Sequence, residues 1–248
     1  MKTIVLDIET VACERAVAQA GYTPQAEDDY PPWPLLEVAC TSLLVVERDG
    51  LAGRNFRLAT YSRQTMAERA IVAEVERELA DAARVLTYNG RGFDLPVLLA
   101  RAAVTQVEAP TLAKLASRSM PGLHLDVAEE VSGRGAAPRV GLATLCAGLG
   151  VPAKLGAVPG GVAALAAAGD WGAIRRYCGA DVLSTWLAYE LWDGAQVPGV
   201  ALERWTMLAA WVRADQPRLR HLLPYAEVPI GLGGGGRLGP DAPNLVAL

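Results

Sequence analysis

Residues 1–12 read MKTIVLDIETVA, and what they become decides the fold. Residues 3–6 are β-branched and apolar, as expected of a central strand buried on both faces. Asp7 and Glu9 follow it, two residues apart. Side chains alternate along a strand, so both carboxylates project to the same side. Two anions so placed repel each other. In a low-dielectric cleft they raise one another's pKa or need a cation to stay ionised. Acidic residues at a strand end also commonly face water, so the rest of the chain must decide between these readings.

The whole chain of 248 residues is long enough for one sizeable core. With 52% hydrophobic and 20% charged residues it reads as a globular protein. A net charge of −4 argues against coating nucleic acid by bulk attraction, but not against an enzyme that meets nucleic acid locally. Cys13, Cys40, Cys146 and Cys178 form no CxxC pair, and with two histidines in the chain a zinc site has few candidate ligands. No signal-peptide core follows Lys2, and no apolar run approaches the roughly 18 residues of a membrane span. The expectation is a soluble, reduced, cytoplasmic protein.

Elements follow from periodicity. Residues 23–34 read as a loop, residues 35–49 as a strand turning at Asp49-Gly50, and residues 53–61 as its hairpin partner. Helical spacing occupies residues 64–83, a short strand residues 85–88, and a helix with Pro96 in its first turn residues 95–103. Beyond Gly122 the chain reads as helices at 142–149, 162–168, 171–192 and 203–214, with Trp171, Trp186, Trp192, Trp205 and Trp211 as packing residues. The class is α/β, a mixed sheet flanked by helices. The final stretch, GLGGGGRLGPDAP at 231–243, is too rich in Gly and Pro to specify a packed element. The expected division is therefore one domain over 1–222, with its motifs within 1–194, and a tail over 223–248.

Two further stretches carry carboxylates. In TYNGRGFDLPVLLARA, residues 87–102, a strand runs into a turn with Gly90 and Gly92, and Asp94 precedes a helix. Asp is a favoured helix cap, which accounts for Asp94 but not for Asn89 or for two glycines at a strand exit, where α/β sheets place ligands. In AIRRYCGADVLSTWLAYEL, residues 173–191, Tyr177 and Asp181 are one helical turn apart, and Ile174 and Thr185 extend the same stripe. An Asp on such a semi-buried face is costly unless it binds a metal or pairs with a cation such as Arg175 or Arg176.

Taken in order, DIE at 7–9, NGRGFD at 89–94 and Y-x-x-x-D at 177–181 resemble the DEDDy branch of the 3′-5′ exonucleases, with HLDV at 124–127 in keeping. Within it, the chain is most similar to the stand-alone bacterial proteins related to the proofreading exonuclease domain of family B DNA polymerases, over about residues 1–194. The resemblance implies a ribonuclease H-like fold with a five-stranded sheet, and hydrolysis of single-stranded DNA, favoured over RNA, from the 3′ end to 5′-mononucleotides. It implies two Mg²⁺ or Mn²⁺ ions held by Asp7, Glu9, Asp94 and Asp181, in keeping with the preference of hard cations for oxygen ligands. Asp7 would bridge the ions, and Tyr177, a poor base at neutral pH, would orient the attacking water. Thr10, Asn89, Arg91 and Phe93 are the candidate substrate contacts. Arg91 also reads as a solvated surface residue and Phe93 as core. His124 and Asp126 are either supports of the site or buried polar groups with partners of their own. The segment VPAKLGAVPGGV at 151–162 keeps Lys154 and Gly160-Gly161 of the family's pattern but has no acidic residue. An exoribonuclease and a catalytically silent nucleic-acid-binding module are the competing functions.

Overall fold

The computed structural model describes residues 1–24, 30–49, 53–117, 122–156, 160–197 and 199–229. A five-stranded sheet runs in the order β3-β2-β1-β4-β5, built from β1 (Lys2–Ala12), β2 (Leu36–Asp49), β3 (Gly53–Ser62), β4 (Arg84–Thr87) and β5 (His124–Asp126). β1 is central. It pairs antiparallel with β2 and parallel with β4, so the sheet is mixed as expected. Ten helices accompany the strands: α1 (Glu14–Ala20), α2 (Glu68–Leu79), α3 (Asp94–Thr105), α4 (Pro110–Ala116), α5 (Val127–Val131), α6 (Leu142–Leu149), α7 (Gly161–Ala167), α8 (Trp171–Gly194), α9 (Val200–Ala214) and α10 (Gln216–Leu219) among the described residues.

The alternation along β1 sorts the core into two. Ile4, Leu6 and Ile8 face α2 and α3, with Ile71, Val75, Leu95 and Leu98. Val5 faces the other way, toward Val182, Trp186 and Trp205 of α8 and α9. Asp7 and Glu9 continue the Val5 parity, which aims both at α8. The strand does not end at Leu6: pairing with β2 continues through Ala12↔Leu36, with a register shift between Glu9 and Thr10. Pairing with β4, by contrast, stops at Val5↔Leu86. The two carboxylates are therefore mid-strand on one side and beyond the neighbouring strand's end on the other, the usual position of a ligand crevice in an α/β sheet.

Two more expectations are corrected. Residues 220–226 form a 3₁₀ turn in which Leu222, Tyr225 and Ala226 are buried, so packed structure passes the boundary expected at 222. Tyr225 donates its hydroxyl hydrogen to the Ala180 carbonyl (2.9 Å) and lies 2.7 Å from Ser184 Oγ, fastening this segment to the middle of α8. Of the five tryptophans read as packing, Trp186 and Trp205 are fully buried, whereas Trp192 is 44% exposed at the end of α8. The Gly-rich stretch 231–243 lies outside the described residues. Among the described residues no helix is long and apolar enough to cross a membrane.

Candidate active site

α8 brings the late motif onto the early one. Its N-terminus is capped by Asp170, which accepts a hydrogen bond from Ala173 N (2.9 Å). About two turns further on, the Cys178 thiol donates to Asp7 Oδ2 (3.4 Å). Asp7, Glu9 and Cys178 each offer one ligand atom within 4.8 Å of the others. Asp94 enters from α3. Its Oδ1 accepts from Ile8 N (3.1 Å), the backbone group between Asp7 and Glu9, and its side chain caps no helix. Capping therefore does not account for it.

Asp181 does have a cationic partner, but not Arg175 or Arg176. Lys154 Nζ lies 3.0 Å from Asp181 Oδ2 and also donates to the Tyr177 hydroxyl. Its ammonium stands 4.7 Å from the centroid of the Tyr177 ring, a cation–π distance. Arg175 instead bonds Ser62 Oγ (3.4 Å) and the Gln64 side chain. Lys154 is the member of the constellation that sequence reasoning left unassigned. Its signal was a lone lysine in a short apolar and glycine-containing segment.

The crowding of acids has an electrostatic cost. Burial raises the Asp7 carboxyl well above its ordinary pKa, and Glu9, Asp94 and Asp181 push in the same direction. Glu9 rises to about 8, through burial and then Asp181, against the pull of Lys154. Asp94 rises to about 7, mainly through burial. Burial also raises Asp181 despite Lys154. One oxygen of the buried Asp181, Oδ1, has no hydrogen-bond partner within the protein.

More than half of the chain, residues 28–196, matches the model of a family described as predicted 3′-5′ exonucleases related to the exonuclease domain of PolB. The chain belongs to that family. The matched span takes in Asn89, Asp94, Lys154, Tyr177 and Asp181, while Asp7 and Glu9 precede it. Among solved structures, the chain is similar to the family B DNA polymerase of the hyperthermophilic archaeon Pyrobaculum calidifontis, with a TM-score of 0.53 and 17% identity, over 88% of this chain and 29% of the polymerase. It is also similar to product-bound exonuclease I, with a TM-score of 0.46, 12% identity and coverage of 88% of this chain and 44% of that one. Escherichia coli exonuclease I in complex with a 5cy-dT13 oligonucleotide gives 0.47, 11%, 89% and 44%. The chain thus spans less than half the length of these proteins. No curated protein matches it. The fold is the ribonuclease H-like α/β fold.

In this exonuclease family member the second motif forms a turn held from β5. Asp126 Oδ1 accepts from Asn89 N (2.8 Å) and Ala128 N (3.1 Å), and its Oδ2 accepts from Arg91 N (3.0 Å). Asn89 has a left-handed backbone with φ 61°, a conformation Asn tolerates better than most residues. Its Oδ1 accepts from Arg139 (3.0 Å). The Arg91 guanidinium is engaged by Glu129 (3.1 Å) and by the His124 carbonyl (2.8 Å). It is thus a strut of the turn, not a solvated surface residue. Phe93 packs against the α2/α3 core. Thr10 is buried just past the β1 register shift, with Oγ1 3.2 Å from the Tyr30 hydroxyl. His124 Nε2 lies 2.8 Å from Thr87 Oγ1, so this histidine is a partnered buried group.

Gly90 is required by close approach. A Cβ there would lie 2.4 Å from Thr87 Oγ1 and 2.5 Å from Thr87 Cβ, and Thr87 is fully buried. Gly90→Ala is therefore expected to cost about 2 kcal/mol, a fall of roughly 4–8 °C in melting temperature for a domain of this size. A melt indistinguishable from the wild type would reject this packing of the turn.

Proposed function

We propose that the protein is a divalent-cation-dependent 3′-5′ exonuclease of the DEDDy type that releases 5′-mononucleotides from single-stranded DNA. The observation that carries this reading is the convergence of Asp7, Glu9, Asp94 and Asp181, four carboxylates drawn from three separate elements and all with raised pKa values. A fold that gained only packing from these positions would place apolar residues there.

The donor set fits hard cations. Four carboxylates supply oxygen ligands suited to Mg²⁺ or Mn²⁺, and the buried, unpartnered Asp181 Oδ1 is a lone pair awaiting a ligand. Burial holds the Cys178 thiol in its protonated form, so it serves as a hydrogen-bond donor to Asp7 and not as a soft ligand. When bound, a pair of such ions activates water and neutralises the phosphate and leaving 3′-oxygens.

The chain's own groups do the rest. Asp7, whose pKa is raised by burial and then by Glu9, Asp94 and Asp181, would hold the ions together with those three carboxylates. Tyr177 has its pKa raised further by burial and by Asp181. It stays a neutral phenol at pH 7 and orients the attacking water by hydrogen bonding instead of deprotonating it. Lys154 fixes the tyrosine hydroxyl and Asp181 relative to each other. Asn89 is the favoured contact for the terminal nucleotide, through the side-chain amide N–H group that its bond from Arg139 leaves unused, because Thr10 is buried against Tyr30 and Arg91 and Phe93 are held elsewhere. DNA is favoured as substrate by the family's relation to a DNA polymerase domain.

The test is digestion of a 5′-labelled single-stranded DNA in Mg²⁺ or Mn²⁺, with RNA of the same sequence alongside. A descending ladder on DNA, faster than on RNA and absent in chelator and in Asp181→Ala, is expected. A faster ladder on RNA would reassign the substrate. Binding without shortening would replace the enzyme with a binding module.

A further inference from the structure

On the opposite flank of α8 from the carboxylates lies a groove of about 690 Å³, lined by Thr60 of β3, the first turns of α8 and residues 217–221. Four arginines line it, Arg175, Arg176, Arg218 and Arg220. Arg218 is paired with Asp215 (2.9 Å), whereas among the described residues no carboxylate pairs with Arg175, Arg176 or Arg220. Arg176 and Arg220 are exposed. So much uncompensated positive charge in one concavity runs against the protein's net charge of −4. Residues 217–221 fall outside the span matched by the family model, 28–196.

The groove is at the same end of the sheet as the acids and on the same face. Asp7 pairs in register with Ser42, and Ser42 with Thr60, and Ser42 Oγ lies 2.9 Å from Thr60 Oγ1. Two strand spacings, roughly 10 Å, separate the Asp7 backbone from the groove wall. Arg175 spans part of that interval through its bond to Ser62, which shares a cross-strand row with Cys40 and Glu9.

We propose that this groove binds the sugar-phosphate backbone of the strand 5′ of the nucleotides held at the carboxylates. The strand would cross the N-terminal turns of α8, a body about 10 Å across, and meet guanidiniums suited to phosphate oxygens. This rests on the exonuclease reading for its direction, but not for its test.

The test is fluorescence anisotropy in chelator, where nothing is cut, using labelled oligothymidylates of about 4 and about 16 nucleotides, with an oligouridylate of the longer length to separate DNA from RNA. The wild type is expected to bind the longer strand more than about tenfold tighter than the shorter. In Arg176→Glu/Arg220→Glu that length dependence should collapse, with at least a tenfold loss on the long strand. The slope of log affinity against log salt should flatten by about 1.4, from two lost contacts at about 0.7 each. An unchanged long-strand affinity, or equal losses on both lengths, would overturn the proposal. Arg176→Ala/Arg220→Ala serves if charge reversal lowers the melting temperature. If the binding pattern holds while the wild type cuts nothing in Mn²⁺, the groove stands and the exonuclease reading fails. If the wild type cuts and the reversal leaves binding untouched, the groove fails alone.

Discussion

Asp7→Asn is expected to reduce hydrolysis by on the order of 10³-fold or more and, in chelator, to raise the melting temperature of the protein. The two effects have one cause. Asp7 is burdened by its surroundings, its pKa raised first by burial and then by Glu9, Asp94 and Asp181. An amide of the same shape keeps an oxygen for the Cys178 thiol, now 3.4 Å from Oδ2, and removes the charge that three neighbours oppose. Relief of that repulsion should stabilise the cation-free protein by about 1–2 kcal/mol, the usual yield of undoing a strained functional site. For a chain of this size that is roughly 2–8 °C. Thermal melting in chelator, with ladder assays in Mn²⁺, checks both halves. A variant that melts lower and keeps its activity would mean that Asp7 is a structural residue.

The second large effect is a pH-dependent response to divalent cations. Glu9 titrates near 8 in place of 4.5, and Asp94 near 7 in place of 3.8, in the folded cation-free protein. Both folded-state values lie above the unfolded ones. Their contribution to stability is therefore complete below about pH 4 and is lost as pH rises through 7 and 8. The chelated protein should melt progressively lower between pH 5 and pH 8 on account of these groups. A cation that binds only the folded, ionised cluster restores about 2.7 kcal/mol at a hundredfold excess over its Kd, or roughly 5–10 °C. The increment on adding Mn²⁺ should thus be large at pH 8 and small at pH 5, where protons compete for the carboxylates. An increment of the same size at both values would place the bound ions somewhere other than this cluster.

Much of this architecture was legible because one short strand carries two kinds of information. The alternation of Ile4, Leu6 and Ile8 against Val5, Asp7 and Glu9 encodes a strand buried on both faces and puts the two acids on one of them. Tyr177 and Asp181 were legible for the matching reason at a period of 3.6 residues. What escaped depends on contacts between segments remote in sequence. β5 is three residues with a polar residue at each end, His124 and Asp126, and only its pairing with β4 makes it a strand. Asp126 gives no local hint that it secures the backbone of Asn89 and Arg91. The pairing of Lys154 with Asp181 joins a loop to a helix 27 residues on, so the nearby Arg175 and Arg176 looked like better partners. The continuation of β1 to Ala12 depends on β2 lying alongside it. Tyr225 and its neighbours lie directly before the Gly-rich stretch, and what fastens them, the bonds of the Tyr225 hydroxyl to Ala180 and Ser184 of α8, leaves no local signal in the sequence.

The central claim is that Asp7, Glu9, Asp94 and Asp181 form a divalent-cation centre, and anomalous scattering at the manganese edge from crystals grown with Mn²⁺ and a 5′-mononucleotide tests it most directly. The account predicts two anomalous peaks among these four carboxylates, with Asp181 Oδ1 facing one of them. Full Mn²⁺ exposure with no peak at the cluster, and Asp181 still held by Lys154 alone, would contradict it.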